Sequence, residues 1–292
     1  MSTISNNSTP ANTESDLRSI PKIIHYGWFG MGELPPEIEE CINSWRILKD
    51  YQIIRWDESN CSFDENDFVK KAYSEKKYAF VSDYYRLKAL YEYGGIYLDT
   101  DVTVKKELDA LLNNSVLLGF SYNCCIGTAL IGATKGNDFI ASLLSMYDNT
   151  VFTDEKQALQ LTEKEGHFYI SDYVTNNYYI TWYALKNYPE FKLNNRYQEL
   201  SDFTIYPKEY FEIGSLTGRH YTIHLNTGSW RSKAKESKSC KDKIKLFLSG
   251  HPHVFELIQI IIRKPRYYKK NKKIPFYGYS QAQKYHKELP DL

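Results

Sequence analysis

The stretch YAFVSDYYRLKALYEYGGIYLDTDV, residues 78–102, carries the decision about the fold. Phe80, Tyr84, Leu87 and Tyr91 recur at helical spacing and predict a helix with one core-facing stripe. Tyr85, Lys88 and Glu92 fall on the opposite side of the wheel and are expected in water. Asp83 and Arg86 flank Leu90 at the edge of the stripe and are expected to be half buried. Gly94 suits a left-handed residue closing the helix, and Gly95 opens the apolar strand Ile96-Tyr97-Leu98. That strand runs straight into Asp99 and Asp101. On extended backbone, residues two apart face the same way at about 6.6 Å, so the pair of carboxylates can serve one ligand.

Working towards the N-terminus, the order reads as strand (22–26), helix (37–48), strand (51–55, closed by Trp56-Asp57) and helix (65–74). Such alternation predicts an α/β fold, with helices packed on a largely parallel sheet. Open α/β sheets bind ligands beyond the carboxyl ends of their strands, which is where the D-x-D pair lies. Hard divalent cations often share one or two carboxylates with a substrate's phosphates. D-x-D alone is a weak motif, because acidic pairs also cap turns. LDTDVTV fits a rival as well, the D-x-D-x-T of haloacid-dehalogenase-type phosphatases, whose first Asp is a nucleophile. That reading wants the motif on the first strand and a later G-D-x-x-x-D, and Gly136-Asn137-Asp138 lacks the required pair.

The 292 residues suffice for a large core without disulfides or structural metal. Basic and acidic residues nearly cancel, 37 against 36, so nothing global points to nucleic acid. Five cysteines without a C-x-x-C pair suggest a reducing compartment, and residues 1–20 are polar and lack a signal-peptide core. No window approaches the roughly 18 apolar residues of a membrane span. The protein is therefore expected in the cytoplasm. The 26 tyrosines have no specific functional meaning here.

Four segments in order and spacing, KIIHYGWFG (22–30), residues 78–102, IYPKEYF (205–211) and IHLNTGSW (223–230), resemble the D-x-D glycosyltransferases of family 32. That group includes capsular-polysaccharide transferases and is similar to the catalytic domains of clostridial glucosylating toxins. The resemblance covers about residues 21–231, and S-D-x-x-R followed by G-G-x-Y-x-D-x-D is far more specific than D-x-D alone. It implies a GT-A fold, a Rossmann-like mixed sheet flanked by helices. It also implies retaining transfer of a hexosyl group from a nucleotide-diphospho-sugar, expected to be a UDP-sugar, with Mn²⁺ or Mg²⁺.

On the residues alone Asp83 and Arg86 form an ordinary i,i+3 ion pair. The resemblance instead makes them holders of the donor sugar. It places Tyr97 in the donor site, Asp99 at the ribose and metal, Asp101 as direct metal ligand, His224 as a further ligand, and Ser229 and Trp230 over the diphosphate. By itself His224 reads as a satisfied strand histidine. Tyr26 and Trp28, at the end of the first strand, are candidates for the donor pocket, Trp28 as a stacking face for the base. Leu225-Asn226, Gly127 and Asn177-Tyr178 depart from the family pattern on the acceptor side.

The expected organisation is a leader (1–20), a catalytic domain (21–235) and a helical, basic tail (236–292). Seven Lys/Arg within 263–273 suit an anionic inner-leaflet surface, or simply a solvated tail. The acceptor implied is a glycan or a lipid-linked oligosaccharide of a surface polysaccharide. A sugar-binding protein without catalysis is the remaining alternative.

Overall fold

The computed structural model describes residues 19–153, 161–227, 261, 269–290 and 292. Its centre is a mixed seven-stranded sheet. In spatial order the strands are Gln198–Glu199 (β10), Thr204–Tyr206 (β11), Val116–Tyr122 (β5), Cys125–Ala133 (β6), Gly95–Leu98 (β3), Ile23–Gly27 (β1) and Gln52–Trp56 (β2). β1 lies parallel to both β2 and β3, as the alternating pattern requires. The parallel run stops at β6, which pairs antiparallel with β3 because it enters by a hairpin from β5. The mixed α/β sheet with flanking helices that the resemblance implies is present.

The helices are Pro36–Ser44 (α1), Asp67–Ser74 (α2), Tyr78–Tyr93 (α3), Asp138–Asp148 (α4) and Asn176–Asn187 (α5). Asn66 and Asn137 cap α2 and α4 by accepting main-chain N–H groups, as short polar side chains do at helix starts. Alternation along β3 feeds two cores. Tyr97 joins Val81, Leu87, Phe120 and Ile131 on the α3 face, while Ile96 and Leu98 join Ile24, Trp45 and Leu117 on the other. A three-stranded sheet, Thr150–Phe152 (β7), Thr162–Lys164 (β8) and His167–Ile170 (β9), packs beside α2 and α4.

The wheel for α3 needs correcting. Tyr85, expected in water, is 1% exposed, whereas Tyr91, placed in the stripe, is 39% exposed. The loops after β1 and β2 fold over this side: Tyr85 packs on Phe29 and Phe63 and donates to the Ser62 carbonyl, and Lys88 pairs with Glu65. Gly94 closes the helix at φ 68°, ψ −171°, an almost glycine-only region rather than the left-handed helical one expected. There a Cβ would lie 2.7 Å from the Lys135 nitrogen; one on Gly95 (φ 107°) would lie 2.6 Å from the Ile23 carbonyl oxygen. The turn is thus pinned where the backbone passes closest to its neighbours.

Beyond β3 the short strand Val102–Val104 (β4) pairs antiparallel with Thr222–His224 (β12), setting His224 opposite Val102. Between β11 and β12 lies the one-turn helix Lys208–Phe211 (α6). The C-terminal helix Tyr277–Tyr285 (α7) docks on the domain. Phe276 packs on Tyr178, Ser280 Oγ donates to the Leu193 carbonyl, and Asn271 Oδ1 accepts the Asn123 N–H at 3.0 Å. Among the described residues no helix is long and apolar enough to cross a membrane.

Candidate active site

The site is assembled at the carboxyl ends of β1 and β3. Asp99 and Asp101 do not sit on extended chain as expected. The backbone turns there, with Val102 N–H donating to the Asp99 carbonyl at 3.0 Å. The turn swings the chain from the large sheet into the β4–β12 ribbon. It still leaves the carboxylates on one ligand: one ligand atom from each of Asp99, Asp101 and His224 lies within 4.8 Å of the others. Oxygen donors near 2.1 Å from a common centre are separated by up to about 4.2 Å, so only a small inward adjustment would enclose an ion. Two carboxylates and an imidazole suit a divalent cation, and among the described residues this is the only such cluster.

Each donor is oriented. His224 Nε2 lies 3.2 Å from Asp101 Oδ1, and His224 Nδ1 lies 2.9 Å from Glu212 Oε2. Asp101 Oδ2 accepts from Thr227 N–H at 2.8 Å and Thr227 Oγ1 at 3.1 Å, and the Asp101 carbonyl accepts from Leu225 N–H. Burial alone would push the Asp101 carboxyl up, but His224 and Thr227 hold it down to about 2. Burial likewise opposes charge on His224, and the flanking Glu212 and Asp101 carboxylates outweigh it, holding the imidazole well above its ordinary value. His224 is therefore a satisfied strand residue and a member of the ligand cluster at once.

Arg86, 4% exposed, ties the helix to the turn. Its Nη2 donates to Asp99 Oδ1 at 2.8 Å and lies 3.4 Å from Asp83 Oδ1, Nη1 donates to the Thr128 carbonyl, and the guanidinium lies 4.7 Å from the Tyr97 ring centroid. Desolvation works against its charge, yet Asp99 and Asp83 raise its pKa further above the usual arginine value. Asp83 Oδ2 accepts the Asn176 N–H at the start of α5. Its carboxyl is pushed up to about 6 by burial despite Arg86, and Asp99 is shifted upwards for the same reason. Tyr97 O–H stands 2.6 Å from Ser82 Oγ and accepts the Gly27 N–H at 3.0 Å, fixing the phenol.

Asp83, Arg86, Tyr97, Asp99, Asp101 and His224 are thus brought together. Tyr26 is not part of that group: it alternates to the other sheet face and packs edge-on against Trp45. Trp28 is half buried in the loop after β1, with its indole N–H donating to the Gly32 carbonyl at 2.8 Å. Ser229 and Trp230 lie outside the described residues. Glu212 and Asn176 had no sequence signal, since each reaches the site from a distant segment and carries no local pattern, and Thr227 lies in the IHLNTGSW segment without having been singled out.

Residues 35–118 match the family described as glycosyltransferase sugar-binding region containing DXD motif. The chain carries a glycosyltransferase D-x-D region. Inositol phosphoceramide mannosyltransferase 3 of Schizosaccharomyces pombe (strain 972 / ATCC 24843) is 28% identical over 180 residues, 59% of this chain and 47% of the relative. Inositol phosphoceramide mannosyltransferase 1 of the same organism is 30% identical over 127 residues, 39% of this chain and 38% of the relative. The chain spans less than half the length of these curated relatives. Among solved structures, PaToxG Glycosyltransferase superposes with a TM-score of 0.39 at 22% identity, covering 44% of this chain and 59% of that one. A glycosyltransferase involved in the glycosylation of the major capsid of PBCV-1 superposes at 0.36 and 10% identity, covering 71% and 95%. Both superpositions are too loose to define the fold, which rests on the topology above. The D-x-D region runs from α1 into β5 and so contains Asp83, Arg86, Asp99 and Asp101.

Proposed function

We propose that this chain, with residues 21–235 as its catalytic unit, is a metal-dependent retaining hexosyltransferase. It takes a nucleotide-diphospho-sugar as donor and a glycan or lipid-linked acceptor. The observation that carries the reading is the convergence of Asp99, Asp101 and His224 beside a buried arginine shared by Asp83 and Asp99.

When bound, a divalent ion would neutralise the charge that develops on the leaving nucleoside diphosphate. Asp101, anionic across the neutral range, and His224 Nε2 would hold it, with Asp99 alongside. Arg86 keeps Asp99 turned towards that position and presents a fixed cation to donor oxygens. Asp83, anchored by Asn176 N–H, would orient sugar hydroxyls, while Tyr97, buried behind the guanidinium, supports Arg86 rather than touching the donor. No side chain of the described site is placed as a nucleophile. Asp99, which would be the nucleophile of a phosphatase, is engaged by Arg86 instead. Retention would follow from acceptor attack on the face that the diphosphate leaves, a phosphate oxygen taking the proton.

Two mannosyltransferases among the curated relatives favour a mannosyl donor for the first trial, alongside UDP-hexoses. Their action on inositol phosphoceramide, as their names state it, also favours an acceptor carried on a lipid. In that setting Lys269, Lys270, Lys272 and Lys273, all exposed, would meet an anionic membrane surface at the cytoplasmic face. The test is donor hydrolysis over a panel of GDP- and UDP-sugars with Mn²⁺, with EDTA, and with Asp101→Ala. One sugar nucleotide consumed only with metal and Asp101 is the expected result. Consumption unaffected by EDTA, or no metal-dependent binding of any donor, would overturn the reading.

A further inference from the structure

We propose that Glu212 is the positioning carboxylate of the cation site, holding the Nδ1 proton of His224 so that Nε2 is directed at Asp99 and Asp101. The inference rests on the cation reading above and is independent of which sugar is transferred.

Glu212 follows directly on α6, with its main-chain N–H donating to the Lys208 carbonyl at 2.8 Å. It grips His224 twice. Its carbonyl accepts the His224 main-chain N–H at 3.0 Å, and its Oε2 stands 2.9 Å from Nδ1. An ionised carboxylate only accepts hydrogen bonds, so the proton of this contact belongs to Nδ1. Nε2 faces Asp101 Oδ1 at 3.2 Å, and it is the nitrogen that would release its proton and turn to an ion held by the same carboxylate. Metal-bound histidines commonly use their second nitrogen in this way, which fixes ring orientation and raises ligand basicity. The contact is nearly dry, because the Glu212 side chain is only 5% exposed. A carboxylate is costly in such a place unless a partner justifies it.

The backbone has been shaped to admit this residue. Gly119 and Gly127 face each other across the β5–β6 pairing. A Cβ on Gly127 would lie 2.9 Å from Glu212 Oε1, and one on Gly119 would lie 2.5 Å from the Phe211 ring. The paired glycines therefore form a notch in the sheet that seats Phe211 and Glu212 side by side. Thr222 Oγ1 closes the arrangement by donating to the Phe211 carbonyl at 2.8 Å. Strand, notch and carboxylate together set where the imidazole points.

The test is a Mn²⁺ titration by calorimetry or electron paramagnetic resonance on full-length protein: wild type, Glu212→Gln, His224→Ala and the double variant. Glu212→Gln should weaken Mn²⁺ binding about 10- to 100-fold, the usual size of such outer contacts. In the His224→Ala background the same change should move the dissociation constant by less than about twofold, since a pure positioning residue acts only through the ring it holds. The wild type should also show a slowly exchanging imidazole Nδ1 proton by ¹H–¹⁵N NMR, exchanging faster in Glu212→Gln, whose neutral amide oxygen is the weaker acceptor. Unchanged affinity in Glu212→Gln would overturn the proposal. So would an undiminished loss on the His224→Ala background, which would make Glu212 a direct ligand. If Glu212→Gln fails to fold, Gly127→Ala displaces the carboxylate while keeping its charge and should weaken binding in the same direction. Wild-type protein that binds no Mn²⁺ would overturn the cation reading and this one with it, whereas an indifferent Glu212→Gln overturns only this one.

Discussion

Replacing Arg86 by Met should expose how the centre of the site is balanced. The substitution keeps most of the aliphatic volume over Tyr97 and removes the charge. It deletes the hydrogen bonds to Asp99 and the Thr128 carbonyl and leaves two carboxylates facing each other without a cation. Breaking a buried ion group by removing one partner costs about 3–5 kcal/mol. Burial already weighs on these carboxylates before any substitution. Asp83 already sits at about 6 in the fold against an ordinary 3.8. Its ionised form is therefore disfavoured by on the order of 3 kcal/mol even with Arg86 present. Without Arg86 that pKa rises further. Between the unfolded and folded values the native state binds the extra proton, so stability falls as pH rises from the unfolded pKa to the folded one and levels off above it. Urea unfolding of Arg86→Met and wild type should accordingly differ by about 3–5 kcal/mol at pH 7.5 and by distinctly less at pH 5. Asp83→Asn in the Arg86→Met background should recover part of the loss at pH 7.5. A deficit below about 1 kcal/mol at pH 7.5, the value expected of a surface pair, would refute the reasoning.

Other outcomes follow from neighbouring contacts. His25 is buried, facing the Gly94 carbonyl through Nε2 and accepting from Trp56 Nε1 at Nδ1, and burial lowers its pKa to about 4. The unfolded chain then binds more protons between about pH 6.5 and 4, so this residue costs stability as pH falls through that window; His25→Gln should flatten the acid slope of urea midpoints. Gly94→Ala should destabilise by more than about 2 kcal/mol in thermal or urea unfolding, because its φ, ψ pair suits glycine and its Cβ meets backbone. Asp101→Asn should abolish measurable Mn²⁺ binding in calorimetry and loosen the loop at Thr227, seen as faster amide exchange there. Reversing Lys269, Lys270, Lys272 and Lys273 to Glu should abolish co-sedimentation with vesicles containing anionic lipid while leaving donor hydrolysis unchanged.

Much of the frame was legible because local chemistry dictated it. The apolar runs at β1 and β3, the Gly94-Gly95 break and the S-D-x-x-R helix each announce themselves within a few residues. The sidedness of α3 was not legible. Its hydrophobic pattern nearly closes round the cylinder, and which side meets water depends on a loop from elsewhere, through Phe63 and Ser62. Likewise, the D-x-D was read as extended chain when it is a turn, because a turn without glycine or proline leaves little trace in sequence. Glu212 had no chance of detection by spacing, being 12 residues from its partner and connected through a notch in two other strands. Gly127, which stood out only as a departure from the family pattern, turns out to be the floor on which that carboxylate rests.

The β4–β12 ribbon also bears on how the protein comes to life on the ribosome. Asp101 and Thr227, hydrogen-bonded to one another, are separated by 126 positions. A growing chain presents the sheet strands β1 to β3 long before the partner of β4 has been made. The ribbon joins just three residue pairs, too few to persist without the rest of the domain beneath it. Closing so long a loop is slow relative to local helix and hairpin formation. The ion-holding corner is thus expected to mature late, after synthesis has passed residue 227, and a cation arriving then would lock a sheet already formed rather than guide it.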